Sequence, residues 1–191
     1  MDRKVEFESI WKEYTDEEND RIVIANEPLM NYLKTGGFFT APASTKYHGV
    51  YEGGLYDHSK AVFNRLQWMT VNLHLSWQRD ISPFIIGFFH DLCKCDQYIE
   101  IKAGPPELGL SYETPVYQYN PNTLLPGHGA KSVMLLSQFM TLTEEEMLCI
   151  RYHMGAYEKD EWNEFDRAIR KYPNVLLTHT ADMFASKVDD T

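Results

Sequence analysis

The chain has 191 residues, enough to bury a substantial core, and 43% of them are hydrophobic, with 12 Tyr, 10 Phe and 4 Trp, which excludes a disordered or low-complexity protein. Its 28 acidic against 18 basic side chains leave a formal charge of −10, without the basic stripe that gripping a long nucleic acid by its phosphates requires. The longest apolar run, residues 84–89, is far short of the roughly 20 residues that cross a bilayer, so no membrane partner is expected.

The N-terminus, Met-Asp-Arg-Lys-Val-Glu-Phe-Glu, is charged and has no apolar signal stretch. A cytoplasmic location is expected, and the three cysteines are expected to be reduced thiols. Phe7, Ile10, Trp11 and Tyr14 recur at helical spacing and predict a helix over residues 5–14, ended by the acidic run 16–20. A second helix over 28–34 is closed by Gly36-Gly37. Residues 38–56, broken by Pro42, Gly49, Gly53 and Gly54, read as irregular. Val62, Leu66, Met69 and Leu73 form the stripe of a helix over 59–75. Ser82-Pro83 then reads as N-cap and first turn of a helix over 84–95, apolar nearly all round and therefore central. Residues 98–102 and 115–119 are short aromatic or β-branched segments around Gly104-Pro105-Pro106, and predict a β-hairpin or ordered loop inserted near 97–125. Helices resume over 129–140, over 144–154 with Thr143 and Glu146 as a capping box, over 161–172, and over 175–188 after Pro173. No repeat or Gly/Ser linker divides the chain. The expected fold is all-α, one helical domain over 1–191 with a helical extension at 1–46, a core at 47–188 and the small insertion.

Chemistry concentrates in the histidines. His90-Asp91 ends the most apolar predicted helix, where an ionised Asp91 without a partner would cost several kcal/mol. Adjacent helical residues point about 100° apart, so both reach one centre only if it lies beside the helix between them. A metal ion there would resolve the desolvation of Asp91. The plainer alternative is an Asp91–Lys94 ion pair beside a satisfied His90, since Lys94 shares the stripe. Four further segments set residues of the same types at helix ends or faces: Gly-Gly-Leu-Tyr-Asp-His58-Ser, Pro-Gly-His128-Gly, Arg-Tyr-His153-Met-Gly and His-Thr-Ala-Asp182.

In this order, His58, His90-Asp91, His128, His153 and Asp182 resemble the HD-domain metal-dependent phosphohydrolase superfamily, over roughly residues 47–188. The local wording is similar to small bacterial and phage HD hydrolases and to the HD domain of bacterial 3′→5′ exoribonucleases. The resemblance implies an HD-type helical bundle in which His58, His90, Asp91 and Asp182 hold one divalent cation. Asp91 would bridge to a second cation held by His128 and His153. One or two ions are implied, and imidazole with carboxylate suits Mn, Fe, Co, Ni, Zn or Mg without choosing among them. The implied reaction is hydrolysis of a phosphoester bond in a nucleotide, cyclic nucleotide or short oligonucleotide by hydroxide held at the metals. Lys94 would stabilise the charge on the phosphoryl oxygens, and Asp91 is the central carboxylate.

Other residues are weaker candidates. His48, Arg151 and Tyr157 are candidate substrate contacts. His179 is a candidate for orienting Asp182. Tyr98, Tyr112, Tyr117 and Tyr119 of the insertion are candidates for stacking on a base. His74 carries no expected role, and Cys93, Cys95 and Cys149 lack zinc-ribbon spacing and read as buried thiols. Two other functions stay open: di-iron oxygenation on the same ligands, and a non-catalytic nucleotide-sensing module.

Overall fold

The computed structural model describes residues 2–15, 27–101, 116–125, 127–156 and 161–189. These form helices α1 (Arg3–Thr15), α2 (Glu27–Thr35), α3 (Gly54–Asn72) and α4 (Ser82–Phe89), followed by a 3₁₀ turn (Leu92–Cys95). Strands β1 (Tyr98–Ile101) and β2 (Val116–Tyr119) come next, and then helices α5 (Gly129–Leu136), α6 (Glu144–Arg151), α7 (Trp162–Lys171) and α8 (Asn174–Lys187). The fold is all-α with one small antiparallel hairpin, in which Tyr98 faces Tyr119 and Ile101 faces Val116. None of the helices described is long and apolar enough to cross a membrane.

Helix α4 is buried at all its positions, as a helix apolar on every face must be. α3 and α6 pack on it, α8 packs on α3, α6 and α7, and α5 joins α6 to the 3₁₀ turn. Gly87 lets α3 and α4 close: a Cβ there would lie 2.5 Å from Phe63 Cα. The N-terminal residues belong to the same core, because Phe7 of α1 is fully buried and its ring lies 5.1 Å from that of Phe88.

The helix boundaries differ from expectation in ways that bear on the site. The helix predicted over 84–95 stops at Phe89; His90 caps it, and Asp91 (φ −104°, ψ 19°) leads into the 3₁₀ turn. α3 starts at Gly54, so His58 lies inside the helix rather than at its entrance. Ser82 is not the N-cap: that position is Ile81, and the Ser82 hydroxyl donates to Glu146 Oε1 at 2.8 Å instead. Likewise α5 ends at Leu136 and α6 at Arg151, short of the predicted 140 and 154. α7 and α8 fall within a residue of prediction, and the hairpin strands match over their described residues.

The expected capping box is present and does more than cap. Glu146 is fully buried; it accepts from Thr143 N at 2.8 Å and from the Arg79 guanidinium as well as from Ser82. Replacing it with alanine strands these donors, and urea denaturation of Glu146→Ala is expected to show a loss of about 3–5 kcal/mol. A loss below about 1 kcal/mol would mean that this network does not tie α4 to α6.

Candidate metal centre

Two helices and three helix ends deliver six side chains to one point. His58 comes from the second turn of α3, His90-Asp91 from the break between α4 and the 3₁₀ turn, and Asp182 from the middle of α8. His128 is the N-cap of α5, and His153 follows the end of α6. Gly129 sets the last two side by side. A Cβ on it would lie 2.5 Å from Ile150 O and would also strike Arg151 O, so α5 starts in direct contact with the end of α6. The rings of His128 and His153 are then 5.1 Å apart.

Asp91 stands between two groups of candidate ligands. On the Oδ2 side, His90 Nε2 lies at 3.4 Å and His58 Nε2 at 3.6 Å, and His58 Nε2 reaches Asp182 Oδ1 at 3.0 Å. On the Oδ1 side, His128 Nε2 lies at 2.7 Å and His153 Nε2 at 3.3 Å. The groups His58–His90–Asp182 and His90–Asp91–His153 each bring their ligand atoms within 4.8 Å of one another. Ligands about 2.0–2.2 Å from a common ion must lie at such separations. His58, His90 and His153 are fully buried, and Asp91 is 1% exposed.

Asp91 Oδ1, His128 Nε2 and His153 Nε2 are buried yet have no hydrogen-bond partner among the described residues, despite their short mutual distances. Both ring nitrogens converge on one point, the Asp91 Oδ1 carboxylate oxygen. A cation beside that oxygen satisfies all three at once, and the residues fit it. Two ring orientations are fixed from behind: His90 Nδ1 contacts Gly87 O at 2.9 Å and His153 Nδ1 contacts Ile150 O at 2.8 Å, which leaves Nε2 of each for a ligand bond.

The electrostatics match. Burial works to raise the Asp91 carboxyl, but Lys94, His90 and His128 outweigh it and hold it well below the usual carboxylate range. Asp182 is also held down, against burial, by its contact with His58 and the nearby His153 and His90. Lys94 Nζ sits 2.6 Å from Asp91 Oδ2, and this partner outweighs burial and raises the ammonium above its ordinary value. The Asp91–Lys94 ion pair thus exists, inside the cluster rather than in place of it.

A cavity of about 730 Å³ opens on the cluster, its lining including Lys94, His128, Asp182, His48, Tyr98 and Tyr119. That size suits a small-molecule ligand. His48 lies with its ring 4.8 Å from that of His58, and neither of its nitrogens has a partner among the described residues. Burial, together with His58 and Lys94, lowers it to about 4. Tyr98 and Tyr119 face each other across the hairpin, rings 5.3 Å apart. Tyr117 is not in the lining, and Tyr112 and Tyr157 lie outside the described residues. Arg151 reaches the cavity with its guanidinium already paired to Glu161 and lying over the Tyr152 ring. His179 does not orient Asp182: its Nδ1 lies 2.7 Å from His153 O, so it fixes the loop that carries His153. His74 is exposed.

Two features had no sequence signal. Lys187 of α8 lies over the exposed Tyr47 ring at the cavity, a contact made only by the fold. Cys93, a buried thiol as expected, also touches His128, with Sγ 3.4 Å from Nδ1. Comparison with protein-family models, curated proteins and solved structures finds no match, so the chemistry of these side chains carries the functional reading.

Proposed function

We propose that the chain is a metal-dependent phosphohydrolase of the HD type, which cleaves a phosphoester bond in a nucleotide, cyclic nucleotide or short oligonucleotide. The observation that carries this reading is the convergence of unpartnered Asp91, His128 and His153 atoms beside the buried His58, His90 and Asp182, at a cavity that also presents Lys94. His58, His90, Asp91 and Asp182 would hold one divalent cation; His128, His153 and the other oxygen of Asp91 would hold a second. Mn, Fe, Co, Ni, Zn and Mg all suit these donors. When bound, such cations supply the Lewis acidity that activates water and draws charge from phosphoryl oxygens.

The chain's own groups supply the rest. Lys94 has three N–H donors, of which one meets Asp91; the others are available to phosphoryl oxygens in the cavity. Tyr98 and Tyr119 at the rim offer aromatic surface to a base. His48 offers ring nitrogens that no described side chain uses.

Protein stripped of metal and reloaded separately with Mn, Co, Ni or Mg is expected to cleave members of a panel of nucleotides and phosphodiesters without consuming dioxygen. Turnover that takes up dioxygen would replace hydrolysis with oxidative chemistry. Tight, metal-dependent nucleotide binding without turnover would make the protein a sensor. In the same assay Lys94→Ala is expected to retain its cations and to lose about 10²–10³-fold in kcat. An unchanged kcat would remove Lys94 from the reaction.

A further inference from the structure

We infer that Cys93 is a positioning residue for His128, and that, because a thiol backs this ring less firmly than a main-chain carbonyl backs the others, the ion depending on His128 is the weaker and more exchangeable one. The inference rests on the metal-centre reading above and concerns what stands behind each ligand ring. Behind His90 and His153 stand main-chain carbonyls three residues earlier, at 2.9 and 2.8 Å. Such a carbonyl is a strong acceptor fixed by its own helix; it settles the tautomer and makes Nε2 a better ligand.

His128 has no such backing among the described residues. Its Nδ1 meets the sulfur of Cys93 at 3.4 Å, and a thiol is a weak acceptor. Its side chain is 27% exposed, whereas those of His58, His90 and His153 are at 0%. It also follows Gly127, whose φ of +83° marks a tight turn rather than a helix. The most exposed ring in the cluster is therefore held by the softest contact.

The sulfur itself is well placed to hold it. The Cys93 N–H donates to Ser132 Oγ at 3.0 Å, and Ser132 lies one turn beyond His128 on α5. The 3₁₀ turn and α5 are thus stitched together, and the thiol stays behind the ring. Asp91, Cys93 and His128 also group as a set of metal-ligating types, but the ring geometry argues against sulfur as a ligand. Nε2 faces Asp91 Oδ1 while Nδ1 faces Sγ, at separate positions on one imidazole. A ring that gives Nε2 to an ion beside Asp91 keeps the sulfur on its other nitrogen, outside that ion's shell.

The test is calorimetric titration of metal-free protein with cobalt(II), together with the cobalt absorption spectrum. The wild-type protein is expected to bind two ions of unequal affinity, with no sulfur-to-cobalt charge-transfer band. Cys93→Ala is expected to leave the tighter ion unchanged and to weaken the second by roughly 10-fold. His128→Ala should reproduce that selective effect, and Cys93→Ser, which keeps a donor–acceptor group behind the ring, should restore most of it. A charge-transfer band in the wild type, equal weakening of both ions, no weakening in Cys93→Ala, or a single bound ion would each overturn the inference. Failure of the wild type to bind cobalt at all would instead overturn the metal-centre reading on which it stands.

Discussion

Asp91→Ala is expected to abolish the proposed cation uptake and phosphoesterase activity together, because among the described carboxylates this one alone faces both groups of candidate ligands. The loss of turnover should be about 10³-fold or more, since Lewis-acid stabilisation at such a centre supplies several kcal/mol. The substitution carries a second signature in the metal-free protein. Lys94 is 6% exposed and its ammonium rests on Asp91, so removing the carboxylate leaves a buried, uncompensated charge. A destabilisation of about 3–5 kcal/mol is expected, and Lys94→Ala added to Asp91→Ala should recover part of it. Metal analysis, steady-state kinetics and urea melts of Asp91→Ala, Lys94→Ala and the double variant check this directly. Retention of full metal content in Asp91→Ala would remove the carboxylate from its central place.

Gly129→Ala is expected to damage the same centre without touching a ligand. The added methyl meets two main-chain carbonyls at the end of α6, and backbone gives way less readily than the tip of a flexible side chain. α5 must back away from α6, at a cost of about 1–3 kcal/mol. The shift also parts His128 from His153 and disturbs Ile150 O, which fixes the His153 ring. Thermal melts should show the lost stability, and titration with Mn should show weakened binding of the ion proposed for His128 and His153. If binding were unchanged, the contact between α5 and α6 would be structural only.

The clustered His and Asp residues could be picked out in the sequence because their types, order and helix-end settings are local properties. The all-α architecture and the hairpin were legible for the same reason: periodicity and turn residues report on neighbours in the chain. What packs against what was not. Residues 84–95 carry a continuous apolar pattern with no Gly or Pro after Phe89, so nothing local marks the break at His90-Asp91. Ser82 has the look of an N-cap, but its hydroxyl is taken by Glu146 from another helix. His179 sits one helical turn before Asp182, yet the fold turns its ring toward His153 O. The Cys93–His128 contact joins residues 35 positions apart and depends on ring orientation, which no spacing rule encodes.

The break after α4 has one more consequence. In a 3₁₀ turn residues three apart lie in line, which places Lys94 over Asp91, and the turn is closed by Lys94 N donating to Asp91 O at 2.9 Å. This deeply enclosed carboxylate thus has a counter-charge built into its own segment. Its neutralisation during folding does not wait on an ion from solution. A newly made chain can therefore assemble first and take up the proposed cation afterwards, the reverse of small zinc domains, whose fold is born with the metal.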